Sequence, residues 1–165
     1  MPILDRHTIE FFSRSPEQTR RVGMRLGSIL QAGDVVGLEG DLGSGKTTFI
    51  QGVASGWGSL DQVSSPTYVL INQYRRPDKS LLYHLDAYRL DGPAEAQELD
   101  LELLLQSGPL IIEWADHIES ALPVDRLWIT LRWIDEQQRG MLISGQGQKY
   151  ERMTAELRQL VFGVV

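Results

Sequence analysis

The sequence predicts an α/β fold: a mostly parallel central sheet carrying an antiparallel hairpin, held as the middle of three layers between flanking helices. Three observations lead there. The apolar run Asp34-Val35-Val36-Gly37-Leu38-Glu39 suits a buried strand, and it leads through a glycine-rich turn into a helical pattern from Thr47 to Trp57, with Phe49, Ile50, Val53 and Ala54 at helical spacing. Pro109-Leu110-Ile111-Ile112-Glu113-Trp114 is a second apolar strand, ending in a carboxylate. Two further runs, Thr67–Tyr74 and Leu81–Leu85, flank Arg75-Arg76-Pro77-Asp78-Lys79-Ser80 and read as a hairpin.

The remaining elements follow in chain order. Thr8 to Phe12 reads as an edge strand. Ser15-Pro16-Glu17-Gln18 starts a helix, with Ser15 as N-cap, Pro16 in the first turn and Gln18 closing a capping box. Val22, Leu26, Ile29 and Leu30 form its buried stripe, and Gly33 ends it. A loop around Gly56, Gly58 and Ser64-Ser65-Pro66 follows the second helix. Beyond the hairpin the pattern predicts a helix from about Ala94 to Leu105, the strand Leu110 to Trp114, strands near Leu127–Ile134 and Met141–Ser144, and a closing helix from Glu151 to Val161. There are no repeats or obvious linkers, so residues 1–165 are expected to form one domain.

Composition narrows the function classes. With 165 residues and 42% hydrophobic content the chain can bury a sizeable core. The formal charge of −6 argues against a broad footprint on nucleic acid, which needs clustered Lys and Arg. Cysteine is absent, which excludes disulfides and thiolate metal sites. No apolar run approaches the roughly 20 residues of a membrane span. Met1-Pro2-Ile3-Leu4-Asp5-Arg6-His7 lacks a signal-peptide core, so a soluble cytoplasmic protein is expected.

The sharpest chemical signal is Gly40-Asp41-Leu42-Gly43-Ser44-Gly45-Lys46-Thr47, a complete phosphate-binding loop lying between a strand and a helix. Its glycines let the backbone curl so that successive N–H groups converge on phosphate oxygens. Lys46 supplies a mobile positive charge for the terminal phosphates, Thr47 offers a hydroxyl to Mg²⁺, and the following helix points its positive end at the anion. Asp41, Leu42, Gly43, Ser44, Gly45, Lys46, Thr47 and Thr48 are therefore the expected nucleotide-binding residues, and the fold sharpens to one like the P-loop NTPases.

Such a loop holds a nucleotide but needs acidic groups to complete the site. Glu113, at a strand end beside the loop, is placed to ligate Mg²⁺ directly or through water, or to orient the attacking water. In His84-Leu85-Asp86-Ala87-Tyr88-Arg89, alternation puts His84, Asp86 and Tyr88 on one face if the strand continues, making Asp86 an outer ligand or water-positioning group. Arg89 is a candidate partner for phosphate or carboxylate. Ser65 and Thr67 lie where segments sensing a γ-phosphate occur. Trp114 fits either core or a partner surface.

Together these motifs resemble the TsaE (YjeE) family, the small bacterial P-loop ATPases of tRNA threonylcarbamoyladenosine (t6A) biosynthesis. The resemblance rests on Gly40 to Phe49, on Val63-Ser64-Ser65-Pro66-Thr67-Tyr68, on His84 to Leu90, and on Ile112-Glu113-Trp114-Ala115. It implies an ATPase that uses ATP and Mg²⁺ and acts with a TsaD-like threonylcarbamoyl transferase and a TsaB-like subunit, reaching tRNA through them. By position it implies that Lys46 binds the β- and γ-phosphates and that Thr47 and Glu113 hold Mg²⁺. Asp86 would assist at the metal or the water, Ser65 and Thr67 would belong to a switch-like segment, and Trp114 would serve activity or partner contact. Two departures stand out: Ser44 replaces a frequent Ala, and Asp100 stands where the family often has Gly.

The absence of an Asn-Lys-x-Asp segment favours ATP over GTP. For adenine, the first helix and the strand bearing Arg132 are the candidates. Two other function classes share a phosphate loop: a small-molecule kinase, which usually needs an arginine-bearing lid, and a nucleotide-gated binding module whose hydrolysis is incidental.

Overall fold

The strands that read as unbroken apolar runs lie at the centre of the sheet, where both faces are covered. The computed structural model describes residues 7–63 and 71–163. Its single seven-stranded sheet comprises β1 (Thr8–Ser13), β2 (Val35–Gly40), β3 (Ile71–Arg75), β4 (Leu81–Asp86), β5 (Leu110–Glu113), β6 (Arg126–Trp133) and β7 (Arg139–Gln146), in the order β1-β7-β6-β2-β5-β4-β3. Strands β6, β2, β5 and β4 are mutually parallel. β3 adds to β4, β7 to β6 and β1 to β7, all antiparallel, so β1 is an edge strand as its sequence suggests.

Parallel strands share a carboxyl edge, and here that edge gathers the chemistry. Asp86 pairs in register with Glu113, Glu113 with Leu38, and Gly40 with Leu131. Any ligand site of an open α/β sheet lies along such an edge.

Alternation along the strands divides the core in two. Leu38, Ile111 and Ile129 face α1 (Pro16–Gly27), α2 (Lys46–Trp57) and α5 (Gln148–Phe162), packing on Leu26, Phe49, Ile50 and Leu157. Val35, Leu85 and Ile112 face the other way, toward α3 (Pro93–Gln97), α4 (Leu101–Leu105) and a 3₁₀ helix over Ala115–Ala121. No helix among the described residues is long and apolar enough to cross a membrane.

The contact between α1 and α2 is set by glycines. Gly23 and Gly27 on α1 meet the Phe49 and Val53 carbonyls of α2, while Gly52 and Gly56 on α2 meet the Arg20 and Met24 carbonyls of α1. A methyl group at any of the four would overlap the opposing backbone. The two helices that lead away from the nucleotide loop and from the first N-cap therefore sit backbone to backbone.

Several expected boundaries change. The first helix ends at Gly27, not Gly33: the Ser28 hydroxyl donates to the Arg25 carbonyl at 2.6 Å, a local bond that competes with continued helix, and Gly33 instead turns the chain at φ +92° before β2. The helix expected from Ala94 to Leu105 is two short helices. Asp100 breaks it at φ +51°, a left-handed conformation that a right-handed helix cannot contain. The position thus takes a positive φ, and Asp is among the residues that tolerate it. β4 ends at Asp86, so the alternation expected to carry on to Tyr88 stops there. Of the first hairpin strand, only Ile71 onward falls within the described residues. Gln18 does accept a backbone N–H, at 2.7 Å, but from Arg14 rather than from the N-cap Ser15, while the Ser15 hydroxyl accepts from the Gln18 N–H at 3.1 Å.

Candidate nucleotide site

The loop between β2 and α2 adopts the curl its glycines allow. Gly43 and Gly45 have φ of +82° and +103°, in the left-handed region where a side chain is strained. Gly45 is also the N-cap of α2, and no side chain caps that helix, in contrast to α1 under Ser15. A helix start without a side-chain acceptor behind a glycine turn is a ready anion site, because its first amides keep their hydrogen-bonding capacity and carry the positive end of the dipole.

Lys46 is buried in the first turn of α2, with 6% of its surface exposed. Its ammonium donates to the carbonyl oxygens of Gly40 and, at 2.9 Å, of Asp41, and it lies 4.1 Å from the centre of the Trp114 ring. The hydroxyl of Ser44 is 3.4 Å away, a contact that an Ala at this position would lack. Burial lowers the Lys46 pKa, against the pull of the nearby Glu113 and Asp41 carboxylates. The ammonium is thus held among partial negative charges of the loop, the kind of partner that phosphate oxygens replace.

Glu113 ends β5 and is 5% exposed. Its Oε1 accepts a long hydrogen bond, 3.5 Å, from the Thr47 hydroxyl, and its Oε2 lies 2.8 Å from His84 Nε2. Asp86, in register beside it on β4, accepts the Tyr88 backbone N–H at 3.0 Å. Trp114 follows Glu113 in the left-handed conformation at φ +57°, which turns the chain out of β5 and sets the indole beneath Lys46. It packs on Tyr88 and His117, with ring centres 5.0 and 5.5 Å away. Trp114 is therefore a wall of the site and packs partly on the second core.

These groups open onto one cavity of about 730 Å³. Leu42, Gly43, Gly45, Lys46, Thr47, Thr48, Asp86, Glu113 and Trp114 all line it, so the structure brings nearly all the expected residues together. Asp41 contributes its carbonyl and Ser44 its hydroxyl from behind Lys46. Ser65 and Thr67 lie outside the described residues. Arg89 is not part of the cavity wall, and neither is Arg132.

The far wall was read from the sequence only in part: the first helix was a candidate for it, but the β6–β7 turn was not, and Arg132 on β6 stays out of the wall. Arg14, Ser15, Pro16 and Thr19, at the start of α1, face Glu136, Gln137 and Arg139, in and after the β6–β7 turn. Arg139 reaches the loop itself, donating from Nε to the Gly43 carbonyl at 3.0 Å. One signal could have found it: β6 runs parallel to β2, so the turn that follows β6 must emerge on the same edge as the phosphate loop. Motif spacing alone does not contain that information.

Among the described residues no group of three or more His, Cys, Asp or Glu is arranged to hold a metal. Mg²⁺ keeps several waters and takes one or two carboxylates together with phosphate oxygens. The adjoining Thr47 hydroxyl and Glu113 carboxylate, with Asp86 in register, form an all-oxygen donor set of that sparse kind.

Burial, with a smaller contribution from the Glu113 charge, raises the Asp86 pKa from its ordinary 3.8. A carboxyl whose folded value lies above its unfolded one contributes stability below the unfolded pKa, and that stability is lost as pH rises through the folded value. Asp86→Asn, which keeps an oxygen for the Tyr88 N–H, is therefore expected to raise the melting temperature of nucleotide-free, metal-free protein at pH 7. The gap should close as the pH is lowered toward 4. A gap that widens on acidification contradicts the assigned burial cost.

The family model described as "Threonylcarbamoyl adenosine biosynthesis protein TsaE" matches residues 13–141, a span that contains the whole cavity wall. The chain is 39% identical over 144 residues to the tRNA threonylcarbamoyladenosine biosynthesis protein TsaE of Bacillus subtilis, covering 87% of this chain and 89% of that protein. It is 38% identical over 145 residues to the protein of the same name from Nostoc, covering 82% and 88%. The crystal structure of YdiB from Bacillus subtilis aligns with a TM-score of 0.77 at 32% identity, covering 93% of this chain and 95% of that one. The sheet order, the loop and the extent of these matches lead to one assignment: the chain belongs to the TsaE family, with an α/β fold like that of the P-loop NTPases.

Proposed function

We propose that this protein is a Mg²⁺-dependent ATPase that supports threonylcarbamoylation of the adenosine beside the tRNA anticodon. It would act with a TsaD-like transferase, which carries the group-transfer chemistry, and a TsaB-like subunit. The observation that carries the ATPase reading is the meeting of Lys46, Thr47 and Glu113 at one end of one cavity. The names of the related proteins support the tRNA pathway. The net charge of −6 supports contact with tRNA through partners rather than by this chain alone.

The phosphates would lie over the loop and the start of α2, with Lys46 moving from the Gly40 and Asp41 carbonyls to the β- and γ-phosphate oxygens. The start of α1 and the β6–β7 turn would receive the base and ribose. Thr47 and Glu113 would hold Mg²⁺, with Asp86 nearby; the ion, when bound, neutralises charge on the phosphate oxygens. Glu113 and Asp86 would orient a water for in-line attack. The water oxygen would bond to the γ-phosphorus as the bond to the bridging oxygen breaks, the electron pair staying on the ADP oxygen and the water's proton passing to the released phosphate or to solvent. Lys46 and the α2 amides stabilise the charge spread over the phosphoryl oxygens.

Hydrolysis is tested by following ADP and phosphate release by the purified chain, alone and with its candidate partners. The expected result is ADP formation that needs no phosphate acceptor and rises when the partners are added. ADP formation that appears only with a small-molecule acceptor, which itself becomes phosphorylated, would make the protein a kinase instead.

A further inference from the structure

His84 is the most deeply buried ionisable side chain near the site, with 0% of its surface exposed, and the proposed chemistry leaves it without a role. It stands on β4 between β3 and β5. Its Nδ1 lies 2.8 Å from the Tyr74 hydroxyl, and its Nε2 lies 2.8 Å from Glu113 Oε2. Tyr74 is itself 3% exposed. A polar line thus crosses three neighbouring strands and ends on the carboxylate of the site.

The chemistry of the partners assigns the hydrogens. An ionised carboxylate only accepts, so with Glu113 ionised the 2.8 Å contact is donated by His84 from Nε2. The Tyr74 hydroxyl can then donate to Nδ1, which satisfies both ring nitrogens of a residue that water does not reach. With Oε2 occupied in this way, the Glu113 carboxylate cannot rotate freely. Its other oxygen, Oε1, stays turned to the Thr47 hydroxyl.

We propose that His84, seated by Tyr74, is a positioning residue that fixes the Glu113 carboxylate so that Oε1 faces Thr47 and the phosphate side of the cavity. The inference rests on the reading of Glu113 as the carboxylate of an ATPase site. His84 does not touch the nucleotide; it acts through Glu113. Outer partners of this type commonly change activity by about 10- to 100-fold when removed.

The test compares His84→Leu, His84→Gln and Tyr74→Phe with the parent protein. His84→Leu is expected to lower kcat for ATP hydrolysis by about 10- to 100-fold while KM for ATP and the affinity for ADP stay within about 3-fold. In His84→Gln the side-chain amide can donate to Glu113 from near the Nε2 position, so this variant should recover part of the rate. Tyr74→Phe, which keeps His84 but frees Nδ1, should lose less than His84→Leu. A readout independent of activity uses the parent protein: ¹⁵N-detected imidazole resonances of His84 should show a proton on Nε2. Unchanged kcat in His84→Leu overturns the inference, as does a rate that follows only the melting temperature across the variants, or an Nε2 that carries no proton. Failure of the underlying reading looks different, because there the parent itself hydrolyses no ATP, alone or with partners.

Discussion

Lys46→Ala is expected to weaken ATP binding by about 100-fold or more, whereas Glu113→Ala should leave ATP affinity within about 3-fold of the parent and reduce hydrolysis by about 100-fold or more. The contrast follows from where each group sits. Lys46 lies in the first turn of α2 with its ammonium held by loop carbonyls, so in the proposed mechanism its charge would meet the phosphates in the ground state as well as in the transition state. Glu113 stands behind the loop, against Thr47 and His84. In the proposed mechanism it would meet the metal and the water rather than the nucleotide body, and groups of that kind show their effect in kcat. Isothermal titration gives the affinities and a phosphate-release assay gives the rates. Near-parental hydrolysis by Glu113→Ala would remove its role.

Gly52→Ala should destabilise the protein by about 1–3 kcal/mol, a fall of roughly 3–9 °C in Tm for a chain of this size. The sign is informative, because helix propensity alone predicts the reverse: Ala in place of Gly within a helix normally gains about 1 kcal/mol. Here the added methyl would overlap the Arg20 carbonyl across the α1–α2 seam, and a backbone atom cannot rotate aside. The helices would have to part, and with them the two walls of the cavity, since α2 carries Lys46 and Thr47 while α1 carries Pro16 and Thr19. Gly27→Ala should behave alike, meeting the Val53 carbonyl. Gly92→Ala, with nothing within 4 Å, is the control and should change little. A stabilised Gly52→Ala protein would show that the seam yields easily.

What the sequence made legible was chemistry that depends on local spacing. The phosphate loop, the apolar strand ending in Glu113 and the N-cap Ser15 are each specified by a few neighbouring residues, and each appears where expected. Asp86 was read from alternation as an outer ligand or water-positioning group, and the parallel pairing of β4 with β5 sets it in register beside Glu113. The β6–β7 turn was hidden because its place at the site depends on strand direction, not on its own residues. The glycine seam was present as Gly23 and Gly27 on one helix and Gly52 and Gly56 on the other, but the pairing of the helices cannot be read from either helix alone. His84 was seen as one of three alternating polar residues. Its burial between Tyr74 and Glu113 depends on β3 and β5 flanking β4, a fact of sheet order. The break at Asp100 ran against helical periodicity because a single left-handed residue outweighs the pattern on both sides of it.

The proposed function makes nucleotide hydrolysis at this site a requirement for sustained tRNA modification by partner chains. The most direct measurement adds the purified protein to its candidate TsaB-like and TsaD-like partners with tRNA, threonylcarbamoyl-adenylate and Mg²⁺, and counts modified adenosines per transferase. With ATP and the parent protein the count should rise well above one. It should stay near one with a non-hydrolysable ATP analogue or with Glu113→Ala. Full multiple turnover with the analogue would contradict the account and leave the protein as a nucleotide-gated binding module.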